Sequence, residues 1–560
     1  MKDNNILPQS LILENRVGIR RGIFLLLLLF LFILLPWLSS QRELFRHEGL
    51  FAAIAAEYAD EVFDPAHGVC VSAHHQLLSD AWPLYPAMVS LFYRVLPMES
   101  ALRLVSVIML GVLSLISGIS ASFRCGKRAG LVAAVCCFGT LFALDKGING
   151  GPEVMAAVFL LSAQLLFFHY GSRCADWNSA WLASAVFLAL GFLTAGPVVI
   201  LFFAFPLVFL RRPLSFGGKF RYPGFIFGVI LLIAVVLIWL SPLGLDWRHY
   251  AKGSEVELFP VVDYLLDLLA FPAVFIVRMM PWGLIMWLPF CVALQAISPV
   301  PEFSRYLRTL FFSMLALIWL VPGISSMLIF FVIGPLAILT GINYDLGVRR
   351  YGTVLRRILL ICGAFFPLAV LALMLILFLP ESYIGFFGES AKMQFRLVPG
   401  YLYFALTGIA ILALLGGMFG YGLRRFPIWV QVLLISFGIG TVATVELLPY
   451  RMMEKDWSSF GRDVRKVLPE GTEKIYKYAI DGMYCGLFYT GKPVYTLENL
   501  QQLDQLEDTV YLISSTVPVY PDRVWTPLLP ENYTCRGVEV CVWRGEIPAD
   551  EEDMRDEYDE

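Results

Sequence analysis

Glu48 stands in the run Phe45-Arg46-His47-Glu48-Gly49-Leu50-Phe51, ahead of Ala52, Ala53, Ala55, Ala56 and Glu57, a stretch that favours helix. A carboxylate held there can take the proton from an acceptor hydroxyl or amine as a general base. It can equally be a solvated acid at a membrane surface. Glu153 follows Asn149-Gly150-Gly151-Pro152, with Asp145 and Lys146 just upstream. An acid after a Gly-Gly-Pro break fits either a catalytic carboxylate or ordinary helix capping and dipole pairing.

Candidate partners for an anionic substrate are cations in apolar settings. Arg278 lies in a strongly apolar stretch beside Met279, Met280, Pro281 and Trp282. A charge there either pairs with a phosphate or snorkels to the interface. Arg103, Lys392 and Arg396 are weaker versions of the same idea.

These residues need elements to position them, and those elements are transmembrane helices. Of 560 residues, 58% are hydrophobic and only 16% charged. A soluble domain carries about a quarter charged residues. Residues 22–39 read GIFLLLLLFLFILLPWLS, long enough to span a bilayer. This run follows Arg16, Arg20 and Arg21 and has no clean cleavage site, so it reads as a retained first helix, not a signal peptide. Further spans are expected near 103–121, 129–145, 152–170, 179–193, 197–210, 223–242, 274–297, 307–321, 324–342, 355–379, 400–421 and 427–446. The fold class is thus a polytopic α-helical membrane protein of about thirteen spans.

Basic clusters orient those spans. They are Arg124, Lys127 and Arg128; Arg211, Arg212, Lys219 and Arg221; Arg305 and Arg308; Arg349, Arg350, Arg356 and Arg357; and Arg424 and Arg425. Alternation from a cytoplasmic N-terminus puts every cluster inside. Segment 83–96 is too short for a comfortable span and reads as a helix lying at the surface or slightly re-entrant. The expected location is the inner (plasma) membrane, with loop 40–102 and the C-terminal region outside.

His47, His67, His74, His75 and His249 all fall outside in this topology. His74 and His75 lie near Asp80, and Glu255 lies near His249. Such ligands could hold a divalent metal ion, and His74, His75, Asp80 and His249 are the candidate set, although their spacing matches no metal motif.

The domains read as 1–446, membrane-embedded and including loop 40–102; 447–548, a small extracytoplasmic α/β domain; and 549–560, an acidic, disordered tail. Helix is expected over Trp457–Leu468 and Asn499–Glu507. Strands are expected over Lys474–Ala479, Pro493–Thr496, Thr509–Ser514 and Val538–Trp543. This region has no phosphate-binding loop and reads as a lid or docking module. Cys535 and Cys541 flank a turn where a disulfide can form. Net charge is −3, and no nucleic-acid partner is expected.

Four segments together resemble a known family. His47-Glu48-Gly49-Leu50-Phe51-Ala52-Ala53-Ile54-Ala55 is similar to Asp-Glu-x-x-Tyr-Ala-x-Ile-Ala. Trp82-Pro83-Leu84-Tyr85 is similar to Lys-Pro-Pro-Leu-Tyr. Leu190-Gly191-Phe192-Leu193-Thr194-Ala195-Gly196-Pro197 is close to Gly-Phe-Leu-Thr-Lys-Gly-Pro. Pro281-Trp282 opens a helix after a long outer loop. The set resembles bacterial GT-C glycosyltransferases of the lipid A aminoarabinose transferase and protein O-mannosyltransferase type.

The resemblance implies transfer of a sugar from a polyprenyl-phosphate donor to an extracytoplasmic acceptor, whether lipid A, protein or glycan. It implies catalytic duty for Glu48, Glu153 and His47. Arg278, Tyr85, Asp145, Lys146, Arg396 and Arg103 would then contact substrate. The chain departs from the pattern at His47, Ala81 and Ala195, where the family has Asp, Lys and Lys. Residues 322–335 also lack its Ser-Lys and Tyr. The acid role could have moved to Glu48, the donor sugar could differ, or activity could be lost. A lipid transporter or flippase is the alternative class, although no internal repeat is visible.

Overall fold

The computed structural model describes residues 23–24, 27, 43–45, 47–60, 71–74, 76–78, 81–211, 219–240, 261–321, 326–378, 408–409, 411–413, 415, 427–442, 458–469, 471–480, 482–497, 499–506, 509–520, 522–530, 534–535 and 538–547. Most of the expected spans 22–39 and 400–421 lie outside them.

The first described helix is α1 (Glu48–Asp60), which opens on Glu48, where an acid complements the helix dipole. A hairpin follows, β1 (Val71–Ala73) against β2 (Gln76–Leu78). The short α2 (Leu84–Tyr93) packs on α1 and on α3 (Met98–Cys125). This is the non-spanning helix expected over 83–96. α3 turns sharply at Gly126 into α4 (Lys127–Phe138). The expected span 129–145 is broken at Gly139-Thr140, where the Thr140 hydroxyl accepts from Ala143 N at 3.2 Å and starts a separate α5 (Leu141–Lys146).

α6 (Glu153–Phe168) begins after Pro152 and ends in a π-helical turn, His169–Arg173. α7 (Trp177–Ala195) is capped by Asp176, which accepts from Asn178 N and Ser179 N. It ends at Gly196, whose φ of 74° is open to glycine at little cost. α8 (Pro197–Val208) follows with proline at its first position. A Cβ at Gly196 would collide with the Trp82 indole. That indole stacks on Trp239 with centroids 4.6 Å apart. Two of the four motif segments therefore meet here.

α9 (Pro223–Leu240) exposes Ile226, Phe227, Ile230, Ile233 and Leu237 along its length. Such a surface suits lipid, not water. α10 (Val261–Met279) starts N-terminal of the span expected over 274–297, because its apolar periodicity continues there. It bends by 109° into a shorter arm, residues 283–290, that includes α11 (Gly283–Met286), and α12 (Val292–Gln295) follows. The Met280–Pro281 peptide at the bend is cis.

α13 (Pro301–Leu320) and α14 (Phe330–Phe378) complete the main bundle. Residues 343–354, expected to turn between two spans, are helical, and α14 is uninterrupted. No proline breaks that stretch, and arginine is a good helix former. α15 (Ile428–Val442) packs against α14. Among the described residues, six helices are long and apolar enough to cross a membrane, or seven with the bent pair. The chain is a multi-pass membrane protein.

The C-terminal segment opens with α16 (Ser458–Val467). It then forms a five-stranded mixed sheet in the order β4-β3-β5-β9-β6. The strands are β3 (Ile475–Tyr478), β4 (Val494–Thr496), β5 (Thr509–Ser514), β6 (Val524–Pro527) and β9 (Cys541–Glu546). β3 is parallel to β4 and β5, and β9 is antiparallel to β5 and β6. Between β3 and β4 lies α17 (Tyr484–Phe488). β6 was not foreseen. The strand expected over 538–543 divides between β8 (Val538–Glu539), which pairs with β7 (Thr534–Cys535), and β9. Residues 500–505 form a 3₁₀ helix. Cys541 Sγ donates to Leu529 O at 3.4 Å. The Cys535 side chain, on which the disulfide expectation depends, lies outside the described residues.

Candidate active site

Glu48 is buried, 2% exposed, at the first turn of α1. Its Oε2 accepts from Phe45 N at 3.0 Å and from Arg103 Nη2 at 3.1 Å. Its Oε1 accepts from Gly150 N at 2.9 Å. Arg103, on the first turns of α3, is 1% exposed and also donates to Glu43 O at 2.8 Å. A buried ion pair depends on hydrogen bonds around it; here they engage both Glu48 oxygens and Arg103 Nη2. Arg103 was expected to contact a phosphate, and the structure instead commits its guanidinium to Glu48. The pairing spans 55 residues, and nothing local in the sequence signals it.

The Gly150-Gly151 turn is fixed from a second side. Gly151 N donates to Ser106 Oγ at 3.2 Å. Tyr85, completely buried, meets the same hydroxyl at 3.1 Å and donates to Leu102 O at 3.0 Å. Tyr85 therefore supports the turn through Ser106. Ser106 was not singled out in the sequence, because an isolated serine in an apolar helix carries no signal. Glu153 opens α6 directly after this turn and is half-buried. Its carboxylate folds back over Gly151. His47, one residue before Glu48, is exposed.

The other end of the 145–153 segment carries the charged pair Asp145 and Lys146, 3.3 Å apart. Asn149 Nδ2 donates to Asp145 O at 3.2 Å. Opposite them the α10 bend approaches, with Leu141 N donating to Met280 O at 2.7 Å. Arg278, half-buried, sets its guanidinium 5.4 Å from the Phe142 ring centre and within electrostatic reach of Asp145. Trp282, fully buried, lies against Gly139. The structure thus brings Glu48, Glu153, Arg103 and Tyr85 together around one turn. It brings Arg278, Asp145 and Lys146 together around the neighbouring one.

The C-terminal segment closes one side of this region. Tyr489 donates to Glu99 Oε1 at 3.0 Å and accepts from Leu44 N at 2.8 Å. Ser458 and Arg462 both bond the Glu43 carboxylate. The His74 ring stacks on Tyr484, and His74 O accepts from Thr496 N at 3.1 Å. Gly49 admits the α17 backbone so closely that a Cβ there would lie 2.6 Å from Cys485 Sγ. Burial, with a further push from the Glu48 charge, raises the Cys485 thiol to about 12. Burial and then the charge on Glu99 carry the Tyr489 phenol well above its ordinary value.

Of the candidate metal set, only His74 lies among the described residues, and it is engaged with Tyr484 and β4. His75, Asp80 and His249 lie outside them, as does Arg396. Among the described residues no three His, Cys, Asp or Glu side chains converge as a metal-ligand set.

With this geometry established, comparison with known proteins places the fold. Residues 80–239 match the family described as dolichyl-phosphate-mannose-protein mannosyltransferase. The structure of ArnT from Cupriavidus metallidurans bound to undecaprenyl phosphate superposes with a TM-score of 0.65 at 14% identity, covering 94% of this chain and 98% of that one. The apo form of the same protein gives a TM-score of 0.61 at 15% identity, covering 93% and 97%. No curated protein sequence matches. The chain thus shares the fold of ArnT along nearly its whole length.

Proposed function

We propose that this chain is a membrane glycosyltransferase that moves a sugar from a polyprenyl-phosphate carrier to an acceptor outside the inner membrane. The observation that carries the reading is the junction where Glu48 ties α1, α3 and the Gly150-Gly151 turn together within a GT-C fold. Undecaprenyl phosphate in ArnT, which shares the fold, supports the choice of donor class.

In the reaction, an acceptor hydroxyl or amine attacks the anomeric carbon of the sugar. The bond from that carbon to the phosphate oxygen breaks, and the polyprenyl phosphate leaves with the electron pair. Both Glu48 oxygens already accept hydrogen bonds, so Glu48 is a positioning residue. It sets the α1 turn that presents His47 and the glycine turn that presents Glu153. His47, exposed and adjacent, takes the acceptor proton, a common task for imidazole. Glu153 orients the acceptor. Lys146 and Arg278 neutralise the leaving phosphate, in place of the lysines absent at Ala81 and Ala195.

The orientation follows the positive-inside rule. Arg124 lies 3.6 Å from the Phe303 ring centre, and Arg128 pairs with Asp345 at 3.0 Å. Basic residues of α3, α4, α13 and α14 therefore gather at the bundle end opposite Glu48. That end is cytoplasmic in this reading, and the C-terminal α/β domain, residues 447–548, is outside and docks on the first loop.

The test is transfer by the reconstituted protein from polyprenyl-phosphate sugars to candidate acceptors. His47→Ala is expected to lower kcat by roughly 10²–10⁴, while His47→Asp keeps measurable activity. Full activity in His47→Ala overturns the assignment of the base. No transfer and no binding across such donors overturns the transferase reading.

A further inference from the structure

At the end of the bundle opposite Glu48, a cavity of about 1030 Å³ opens between α8 and α13. One end is strongly basic. Arg211, Arg305 and Arg308 line it, against a single carboxylate, Glu302. None of the three arginines forms an ion pair among the described residues. Arg308 Nη1 reaches only the Pro289 carbonyl, at 3.4 Å. Like charges one helical turn apart repel unless an anion lies between them.

The remainder of the cavity is apolar. Arg305, Thr309, Phe312, Ala316 and Leu320 recur at three- and four-residue steps, so they share one face of α13. The groove follows that face for most of the helix length, about 30 Å. Phe205 and Phe209 of α8 and its end form the facing wall. A basic mouth opening into a long apolar furrow fits a molecule with an anionic head and an acyl chain. It does not fit a small free anion, which would leave the furrow empty. Basic pockets between helices at a cytoplasmic face have this character.

We infer that this groove is a structural binding site for one anionic phospholipid of the cytoplasmic leaflet. The phosphate sits among Arg211, Arg305 and Arg308, and an acyl chain lies along α13 towards Leu320. The site is remote from Glu48 and does not depend on the glycosyltransferase reading.

The full chain, delipidated in detergent, is to be examined by native mass spectrometry and thermal unfolding with added phosphatidylglycerol, phosphatidylcholine or inorganic phosphate. One phosphatidylglycerol is expected to stay bound and to raise the melting temperature, with little effect from the other two. Arg305→Gln/Arg308→Gln is expected to weaken phosphatidylglycerol binding about thirtyfold, and each single variant about fivefold. The single variants carry the test if the double variant does not fold. Arg349→Gln/Arg350→Gln, which removes exposed charges outside the cavity, is expected to bind as the parent does. Equal binding of phosphatidylcholine, equal stabilisation by inorganic phosphate, or undiminished phosphatidylglycerol binding by the α13 variants would overturn the inference.

Discussion

Glu48 Oε2 and Arg103 Nη2 lie 3.1 Å apart with both side chains sealed from solvent, joining the start of α1 to the start of α3. Removing one member of such a pair strands the other. Arg103→Met is expected to destabilise the protein by about 3–5 kcal/mol. Glu48→Gln/Arg103→Met should recover part of that loss, because no buried charge is left unmatched. A double-mutant cycle of denaturant midpoints in detergent checks this. Strict additivity would show that the two side chains are not coupled.

Tyr489 bonds two elements of the first loop at once, through Leu44 N and Glu99. Tyr489→Phe is expected to cost about 1–3 kcal/mol and to raise protease cleavage between the bundle and the C-terminal segment. Unchanged proteolysis would mean that the seam is held elsewhere.

Cys485 supplies a pH dependence with a definite sign. The folded chain raises its thiol from 9.0 to about 12. Burial thus favours the neutral thiol over the thiolate. The stabilising contribution is complete below pH 9 and falls away as pH rises from there towards 12. Stability of the parent should therefore decline more steeply above pH 9 than that of Cys485→Ala, measured as denaturant midpoints from pH 8 to 11. Parallel curves would contradict the assignment. The same burial should make alkylation of Cys485 slow in the folded protein.

Gly196 has positive φ and lies under the Trp82 indole. Gly196→Ala adds both backbone strain and a collision, and is expected to cost about 1–3 kcal/mol or more. Adding Trp82→Ala should relieve the collision but leave the strain. Thermal unfolding of the two variants separates these contributions.

Arg278→Gln is expected to raise KM for a polyprenyl-phosphate donor more than it lowers kcat, since it removes charge that attracts the phosphate before as well as during transfer. An unchanged KM would remove Arg278 from the donor site.

How far the sequence could be read depended on the range of the interactions involved. Glu48 stood out because acids are rare near the ends of apolar helices. The Gly-Gly-Pro turn before Glu153 was legible because its residues enforce a break. The pairing of Arg103 with Glu48 was not legible because the two lie far apart in the chain, and an arginine at a helix start looks the same whether it faces phosphate or carboxylate. Tyr85 belongs to a recognisable motif, but only packing decides whether its hydroxyl points in or out. The arginines at 349–357 suggested a loop because charge marks membrane boundaries, yet arginine also prolongs a helix. Four of the five strands of the C-terminal sheet followed from β-branched and aromatic residues, while β6 did not. Their docking on the first loop depends on contacts such as Tyr489 to Glu99, 390 residues apart.

That last contact bears on biosynthesis. The ribosome makes Glu43, Glu48 and Glu99 first, and the residues that brace them, Ser458, Arg462, Cys485 and Tyr489, hundreds of residues later. During synthesis the first loop must wait for a partner that does not yet exist. A truncated or stalled chain would insert its helices but leave this region unbraced. The protein would thus close this seam only after the C-terminal segment has been made, and shorter chains would be recognisable to quality-control proteases by the open seam.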